Sequence, residues 1–301
     1  MLWRSNPQAM PGMTVLLVDD SAAYIRLMQE AFRNADSSIR LEVAKGGHEA
    51  MDYLYQKDGY EHRSIPDLIL LDLNMPQLSG YEVLNKIKKD KSLRMIPTLI
   101  ITSSVLESDI IESYRRHANC YLRKPTNLAD FDSLINSIND FWFWKKVKNM
   151  IVKGSNAVPI TVLLVEDSPG DVRLTEEAFR NAGSSIALHV ASDGVEAMDF
   201  LFQRGTHAQA PRPDLILLDL NLPRMDGREV LAKIKSSETL KTIPTLILTT
   251  SQSEADILRS YQLYANAYLT KPVQLDAFDG LVASISNFWL TKVRLAQQVT
   301  N

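Results

Sequence analysis

Two aspartates at matching places, Asp72 and Asp219, are the side chains best placed to do chemistry. Each ends an apolar run too short for a helix, Leu68-Ile69-Leu70-Leu71 and Leu215-Ile216-Leu217-Leu218, which reads as a strand buried on both faces. Pro76 and Gly80, and likewise Pro223 and Gly227, then turn the chain away. An unpaired carboxylate is costly to bury, so each aspartate is expected at the open C-terminal end of its strand. Asp19-Asp20 closes an earlier apolar run, and Glu166-Asp167 closes its counterpart. In a parallel sheet these strand ends share one rim, which brings three carboxylates together in each half. Each pair at about 4 Å costs on the order of 4 kcal/mol at an effective dielectric near 20. A hard divalent cation removes that cost, and Mg²⁺ fits because it keeps several waters and takes only one or two carboxylates. Thr102 and Lys124 close two further runs, as do Thr249 and Lys271, adding a hydroxyl and an ammonium to each rim. Such a set suits a phosphoryl group carried on the aspartate, formed when Asp72 or Asp219 attacks a phosphoryl donor to give an acyl phosphate. The cation would bridge donor and acceptor oxygens, and lysine would neutralise the developing charge.

The elements that must hold these groups repeat. Thr14 to Trp142 aligns without a gap on Thr161 to Trp289, at the spacing of 147 positions that separates residue 72 from residue 219. That period far exceeds the roughly 20–50 residues of a solenoid unit, so a whole domain is duplicated. Within the first copy, a strand over Thr14–Val18 precedes Ile25, Leu27, Met28, Ala31 and Phe32 at helical spacing. A strand over Ile39–Ala44, a helix over Glu49–Tyr55 and a polar loop over Lys57–Ser64 follow, the loop's partner being Arg204–Pro211. The strand before Asp72 comes next, then a helix over Gly80–Lys89 and a strand over Thr98–Thr102. A helix near Asp109–His117, a strand over Tyr121–Arg123 and a long helix over Leu128–Lys146 complete the copy. Five strand–helix units in about 130 residues imply an α/β domain, a parallel sheet covered by helices on both faces. The expected division is a tail over 1–13, domains over 14–146 and 160–294, a basic linker over 147–159 and a tail over 295–301.

Composition narrows the function classes. An apolar content of 45% with 23% charged residues supplies a core of ordinary globular size. A net charge of −3 without a basic block argues against nucleic acid as a partner. No apolar run approaches the roughly 18 residues that cross a bilayer, and the first residues lack a signal-peptide apolar region, so no membrane role is expected. The single Cys120, set in a strand-like run, is expected to be a packed thiol in a reducing, cytoplasmic compartment. The five histidines show no metal-ligand spacing. Thr291–Asn301 is too short for a DNA-binding module, so output is expected through protein contacts or relay.

Val15-Leu16-Leu17-Val18-Asp19-Asp20, Asp72-Leu73-Asn74-Met75-Pro76 with Gly80, Thr102, and Lys124-Pro125 resemble the receiver domain of two-component response regulators, the CheY-like family. The resemblance covers nearly all of residues 14–142 and 161–289 and its five-position signature occurs twice. The loops after the second helix, Phe141-Trp142, Phe288-Trp289 and Asn119-Cys120-Tyr121 are similar to the small regulators paired with cyanobacterial and bacterial phytochromes. The resemblance implies two tandem flavodoxin-like (βα)5 domains, each with a parallel five-stranded sheet of order 2-1-3-4-5. It implies that Asp72 and Asp219 take phosphate from the phosphohistidine of a sensor histidine kinase, phytochrome-like in its narrower form, with a phosphotransfer protein as a further partner. Asp20 and Asp167 would bind Mg²⁺ directly with the Asn74 and Asn221 carbonyls, while Asp19 and Glu166 would act through water. Thr102, Thr249, Lys124 and Lys271 would bind phosphoryl oxygens, Thr250 being a second candidate hydroxyl beside Thr249. Tyr121 and Tyr268 occupy the place of the family's aromatic switch, which turns inward when the threonine moves.

Single-domain relatives often pair through their fourth and fifth helices. Both copies keep bulky residues there (Ile110, Ile111, Tyr114 and Trp142; Ile257, Leu258, Tyr261 and Trp289), so a pairing of the two receivers is expected. Other readings are an adaptor in which only one receiver is phosphorylated, a phosphate sink for a phytochrome-like kinase, and a phosphohydrolase. Haloacid-dehalogenase-like phosphohydrolases place a second acid two residues after the nucleophile, where this chain has Asn74 and Asn221. The expectation is therefore a phosphoacceptor whose only chemistry is its own phosphotransfer and autodephosphorylation, not a turnover enzyme.

Overall fold

The computed structural model describes residues 13–35, 39–142, 160–181, 186–272 and 274–296. Of the expected tail over 1–13, Met13 begins the first strand and residues 1–12 lie outside the described residues, as do the linker over 147–159, the 143–146 end of the long helix and residues 297–301. The chain divides into two compact units, residues 1–138 and 139–301.

The first copy runs β1 (Met13–Val18), α1 (Ala22–Ala35), β2 (Ile39–Ala44), α2 (Gly47–Leu54), β3 (Leu68–Leu71), α3 (Gly80–Lys89), β4 (Thr98–Thr102), α4 (Glu107–Arg115), β5 (Cys120–Arg123) and α5 (Leu128–Trp142). Its strands are all parallel and ordered β2-β1-β3-β4-β5. The later elements are β6 (Ile160–Val165), α6 (Pro169–Asn181), β7 (Ile186–Ala191), α7 (Gly194–Leu201), β8 (Leu215–Leu218), α8 (Gly227–Ser236), β9 (Thr245–Thr249), α9 (Glu254–Gln262), β10 (Ala267–Thr270) and α10 (Leu275–Ile285). Their sheet, β10-β9-β8-β6-β7, is the same order read from the other edge. The expected α/β architecture, with order 2-1-3-4-5 in each copy, is the one the structure shows.

The reason lies in the apolar runs. Leu68, Ile69, Leu70 and Leu71 are all essentially without solvent contact, as a central strand covered on both faces requires. In α1 the buried stripe is Tyr24, Ile25, Met28, Ala31 and Phe32. Leu27, expected on that stripe, is only half-buried, and Tyr24 takes the inner position one turn before Met28. Helix α4 starts at Glu107, two residues earlier than expected, which places Glu107 and Asp109 in its first turn beside the unpaired N–H groups. Cys120 is a buried free thiol whose ionisation burial pushes well up.

Two features fix the acid-bearing end of the sheet. A capping box starts α3: the Ser79 side chain accepts from the Glu82 N–H, and the Glu82 carboxylate accepts from the Ser79 N–H at 2.9 Å. Directly after it, α3 presses on the loop that carries Asp72. A Cβ on Gly80 would stand 2.0 Å from the Asp72 carbonyl oxygen, and one on Gly227 would stand 2.0 Å from that of Asp219. Only glycine permits this approach.

At the opposite end of β4, each unit buries a lysine. Lys88 Nζ donates to Asn119 Oδ1 at 2.9 Å and to the Ile96 carbonyl at 3.3 Å, while Asn119 Oδ1 also accepts from the Thr98 N–H. Lys235 repeats this with Asn266 and Ile243. Burial pushes both amines down to about 7.

Candidate functional site

The first site forms where β1, β3, β4 and β5 end. Backbone bonds set the register: the Asp72 N–H donates to the Val18 carbonyl at 2.9 Å, and the Lys124 N–H to the Thr102 carbonyl at 2.8 Å. Asp72 follows β3, Asp19 and Asp20 follow β1, Thr102 ends β4 and Lys124 follows β5. One carboxylate oxygen from each of Asp19, Asp20 and Asp72 lies within 4.8 Å of the others. Lys124 Nζ is 2.5 Å from Asp72 Oδ2 and 2.6 Å from Asp19 Oδ2.

The sequence places the acids correctly at the strand ends but misjudges their exposure. Asp72 is 4% exposed and Asp19 fully buried, with only Asp20 open to water. Lys124 offsets the cost, since a buried charge is tolerated when paired. Burial still pushes the Asp19 carboxyl up, against the lowering effect of Lys124. Asp19 Oδ2, close to the ammonium, nonetheless lacks an aligned hydrogen-bond donor. A converging oxygen set with one buried oxygen short of a donor fits a small divalent cation. Among the described residues this is the one group of acids gathered so closely.

Around these acids, the Asn74 N–H donates to Asp72 Oδ1 at 3.3 Å, and Asn74 Nδ2 to Thr102 Oγ1 at 3.4 Å. Thr102 is fully buried, and its Oγ1 also accepts from the Ser104 N–H. Tyr121 lies inside, with its hydroxyl donating to the Ser104 carbonyl at 3.0 Å and its ionisation pushed up by burial.

The second site matches the first in outline. Lys271 Nζ is 2.5 Å from Glu166 Oε2 and 2.7 Å from Asp219 Oδ2, and the Asn221 N–H donates to Asp219 Oδ1. Of the two hydroxyls open in the sequence, Thr249 ends β9 and is buried, whereas Thr250 is exposed. Asp167 is exposed, and Tyr268 donates to the Ser251 carbonyl at 2.9 Å. A third acid, Asp171, stands 2.8 Å from Lys271 Nζ. Burial alone would lower the Lys271 ammonium, but bonds to Asp171, Asp219 and Glu166 outweigh it and hold the group strongly protonated. Burial pushes Glu166 up.

Sequence reasoning missed the residues of α1 and α6 that face the lysines. Tyr24 lies 147 positions before Asp171 (171 − 24), and its ring centroid is 4.4 Å from Lys124 Nζ. Reading the two copies against each other at that position would have exposed the change. Also missed were Asp109, which accepts from Ser104 Oγ and Tyr81, and Asp256, which accepts from Ser251 Oγ and Arg228.

A doubly wound sheet with a lysine-bridged acid pair at its carboxyl rim, built twice in one chain, defines a two-site α/β protein with an acidic centre in each half. A family model described as the response regulator receiver domain matches residues 15–136 and 162–283, and the chain belongs to that family. It is similar to the response regulator Rcp1 of Synechocystis sp., at 49% identity over 137 residues that cover 46% of this chain and 93% of that protein. A probable methanogenesis regulatory protein, FilR2 of Methanothrix harundinacea, is 36% identical over 133 residues, 44% of this chain and 85% of its own. The solved structure of the phosphorylated cyanobacterial phytochrome response regulator RcpA is 48% identical, covers 46% of this chain and all of that one (100%), and has a TM-score of 0.45. No helix among the described residues is long and apolar enough to cross a membrane.

Proposed function

We propose that Asp72 and Asp219 accept phosphoryl groups from a sensor histidine kinase, phytochrome-like in class, in a Mg²⁺-dependent reaction. The observation that carries this reading is the Lys124 ammonium, which spans Asp72 and Asp19 at 2.5 and 2.6 Å beside the exposed Asp20. In the reaction a carboxylate oxygen of Asp72 bonds to phosphorus as the phosphorus–nitrogen bond of the donor phosphohistidine breaks, and the imidazole leaves with the electron pair. Asp19, Asp20, Asp72 and the Asn74 carbonyl would hold the cation, with Glu166, Asp167, Asp219 and Asn221 as the second set. When bound, the cation supplies positive charge to the phosphoryl oxygens. Lys124 and Lys271 neutralise the charge left on the acceptor's oxygens, and Thr102 and Thr249 offer hydroxyls to them. Tyr121 and Tyr268 report occupancy through the residue-104 and residue-251 carbonyls they bind.

The protein then signals by protein contacts or relay in the cytoplasm, as a phosphoacceptor and not a turnover enzyme; Asn74 and Asn221 leave no acid where a phosphohydrolase would need one. The decisive experiment is phosphotransfer from a phosphorylated kinase, or from acetyl phosphate with Mg²⁺. An acid-labile, aspartate-linked product lost in Asp72→Asn plus Asp219→Asn supports the reading, and its absence from the native chain refutes it. The adaptor reading, in which one receiver alone is phosphorylated, draws on the tight gathering of acids around Asp72, and the two single variants separate it. Pairing of the receivers through their fourth and fifth helices, α4 and α5 with α9 and α10, is proposed with it, and solution scattering showing two independent lobes would refute that part.

A further inference from the structure

The two sites share the same kinds of expected group, Glu166 standing in the second where Asp19 stands in the first, and they differ further in what the first helix of each receiver sets against the lysine. In the first, α1 presents Tyr24, whose side chain is buried at 7% exposure and whose ring lies 4.4 Å from Lys124 Nζ. In the second, α6 presents Asp171, whose Oδ2 is 2.8 Å from Lys271 Nζ. A lysine ammonium has three N–H donors. All three of Lys271 point to carboxylates, those of Glu166, Asp171 and Asp219. Lys124 binds two carboxylates, and an aromatic face covers its remaining side. A ring attracts the ammonium without accepting a directional bond and without adding net charge. An incoming phosphoryl oxygen can therefore approach Lys124 with, among the described residues, no third anion to displace. At Lys271 it must take a donor from Asp171 and then lie beside that carboxylate.

We propose that Asp171 is a positioning residue that competes with the phosphoryl group for Lys271, so that the second receiver holds a phosphoryl group less tightly than the first, where Tyr24 and not a third carboxylate faces Lys124 among the described residues. This rests on the phosphoacceptor reading. The Asp171 side chain is 31% exposed, so water screens its hold on Lys271. The expected difference is about tenfold in retention, equivalent to about 1.4 kcal/mol.

Beryllofluoride with Mg²⁺ stands in for the phosphoryl group, and ¹⁹F NMR of the full chain reads its occupancy at each site. Asp72→Asn and Asp219→Asn assign the bound-fluoride signals to one receiver or the other. The first receiver is expected to saturate at about one-tenth of the beryllofluoride needed by the second. Asp171→Asn, which keeps an oxygen near Lys271 but removes the charge, is expected to tighten the second site about tenfold and leave the first unchanged. Tyr24→Asp is expected to weaken the first site by a similar factor. Equal saturation of the native sites overturns the proposal. So does an Asp171→Asn chain that binds as before or more weakly, the latter making Asp171 a helper of the cation. Bound fluoride at neither site refutes the phosphoacceptor reading itself, a result distinct from those two.

Discussion

Replacing Lys124 by methionine tests the electrostatic core of the first site. The change removes the ammonium that stands 2.5 Å from Asp72 and 2.6 Å from Asp19, while keeping most of the apolar stem. Ligand oxygens of Asp19, Asp20 and Asp72 then remain within 4.8 Å of one another. Two unit charges at that separation repel by at least about 3 kcal/mol at an effective dielectric near 20. Removing one partner of a buried ion pair costs about 3–5 kcal/mol by a separate route, so the two figures agree. Against a domain stability of roughly 5–15 kcal/mol the loss is large. Urea denaturation of the full chain in EDTA is expected to show the transition of the first unit moved to clearly lower urea. Under the proposed function, Mg²⁺ held by the folded, lysine-free acids and not by the unfolded chain should restore more stability to Lys124→Met than to the native protein. The deficit should shrink as pH falls, because burial already pushes the Asp19 carboxyl up and without the lysine nothing opposes its protonation. A variant as stable as the native chain in EDTA, with no added response to Mg²⁺, would refute the idea that this lysine holds the acids together.

Gly80→Ala is expected to lose about 3 kcal/mol or more, since its Cβ would meet the Asp72 carbonyl at 2.0 Å; Gly46→Ala, with nothing within 4 Å, should stay within about 0.5 kcal/mol in the same denaturation series. The buried lysines give a pH signature. Lys88 and Lys235 lose a proton near 7 when folded and near about 10.4 when unfolded. Between those values the unfolded chain binds more protons, so stability should rise from pH 7 to 9, by up to about 1.4 kcal/mol per pH unit for each lysine. Denaturation across that range should show the rise, and Lys88→Met should flatten it in the first unit. Tyr121→Phe removes the bond to the Ser104 carbonyl and should cost about 1 kcal/mol, with faster amide exchange around Ser104 read by mass spectrometry.

The strands and the strand-end acids were legible because both rest on patterns that run along the chain, whereas the sheet order came only with the family resemblance. Leu68–Leu71 and Leu215–Leu218 are uniformly apolar where a central strand must be, and Pro76 and Gly80 mark the turn after the acid. The 147-residue repeat doubled every such sign. The burial of Asp72 was not legible, because its tolerance depends on Lys124, 52 residues away. The same holds for Lys88 and Asn119, whose types alone suggest solvated surface and which meet only through the placement of β4. Tyr24 escaped notice because an aromatic on an amphipathic helix reads as core, and its contact with Lys124 appears only in space. Asp171 escaped for the complementary reason, as a first-turn acid that any helix could carry.

The tight approach of Gly80 to Asp72 has a mechanical consequence. The main chain of Asp72 and the start of α3 meet so closely that not even a methyl group fits between them at position 80. At this contact there is no side chain that could take up a shift of either partner. On the far side of α3 from this contact, Glu82, Lys86 and Lys89 meet water.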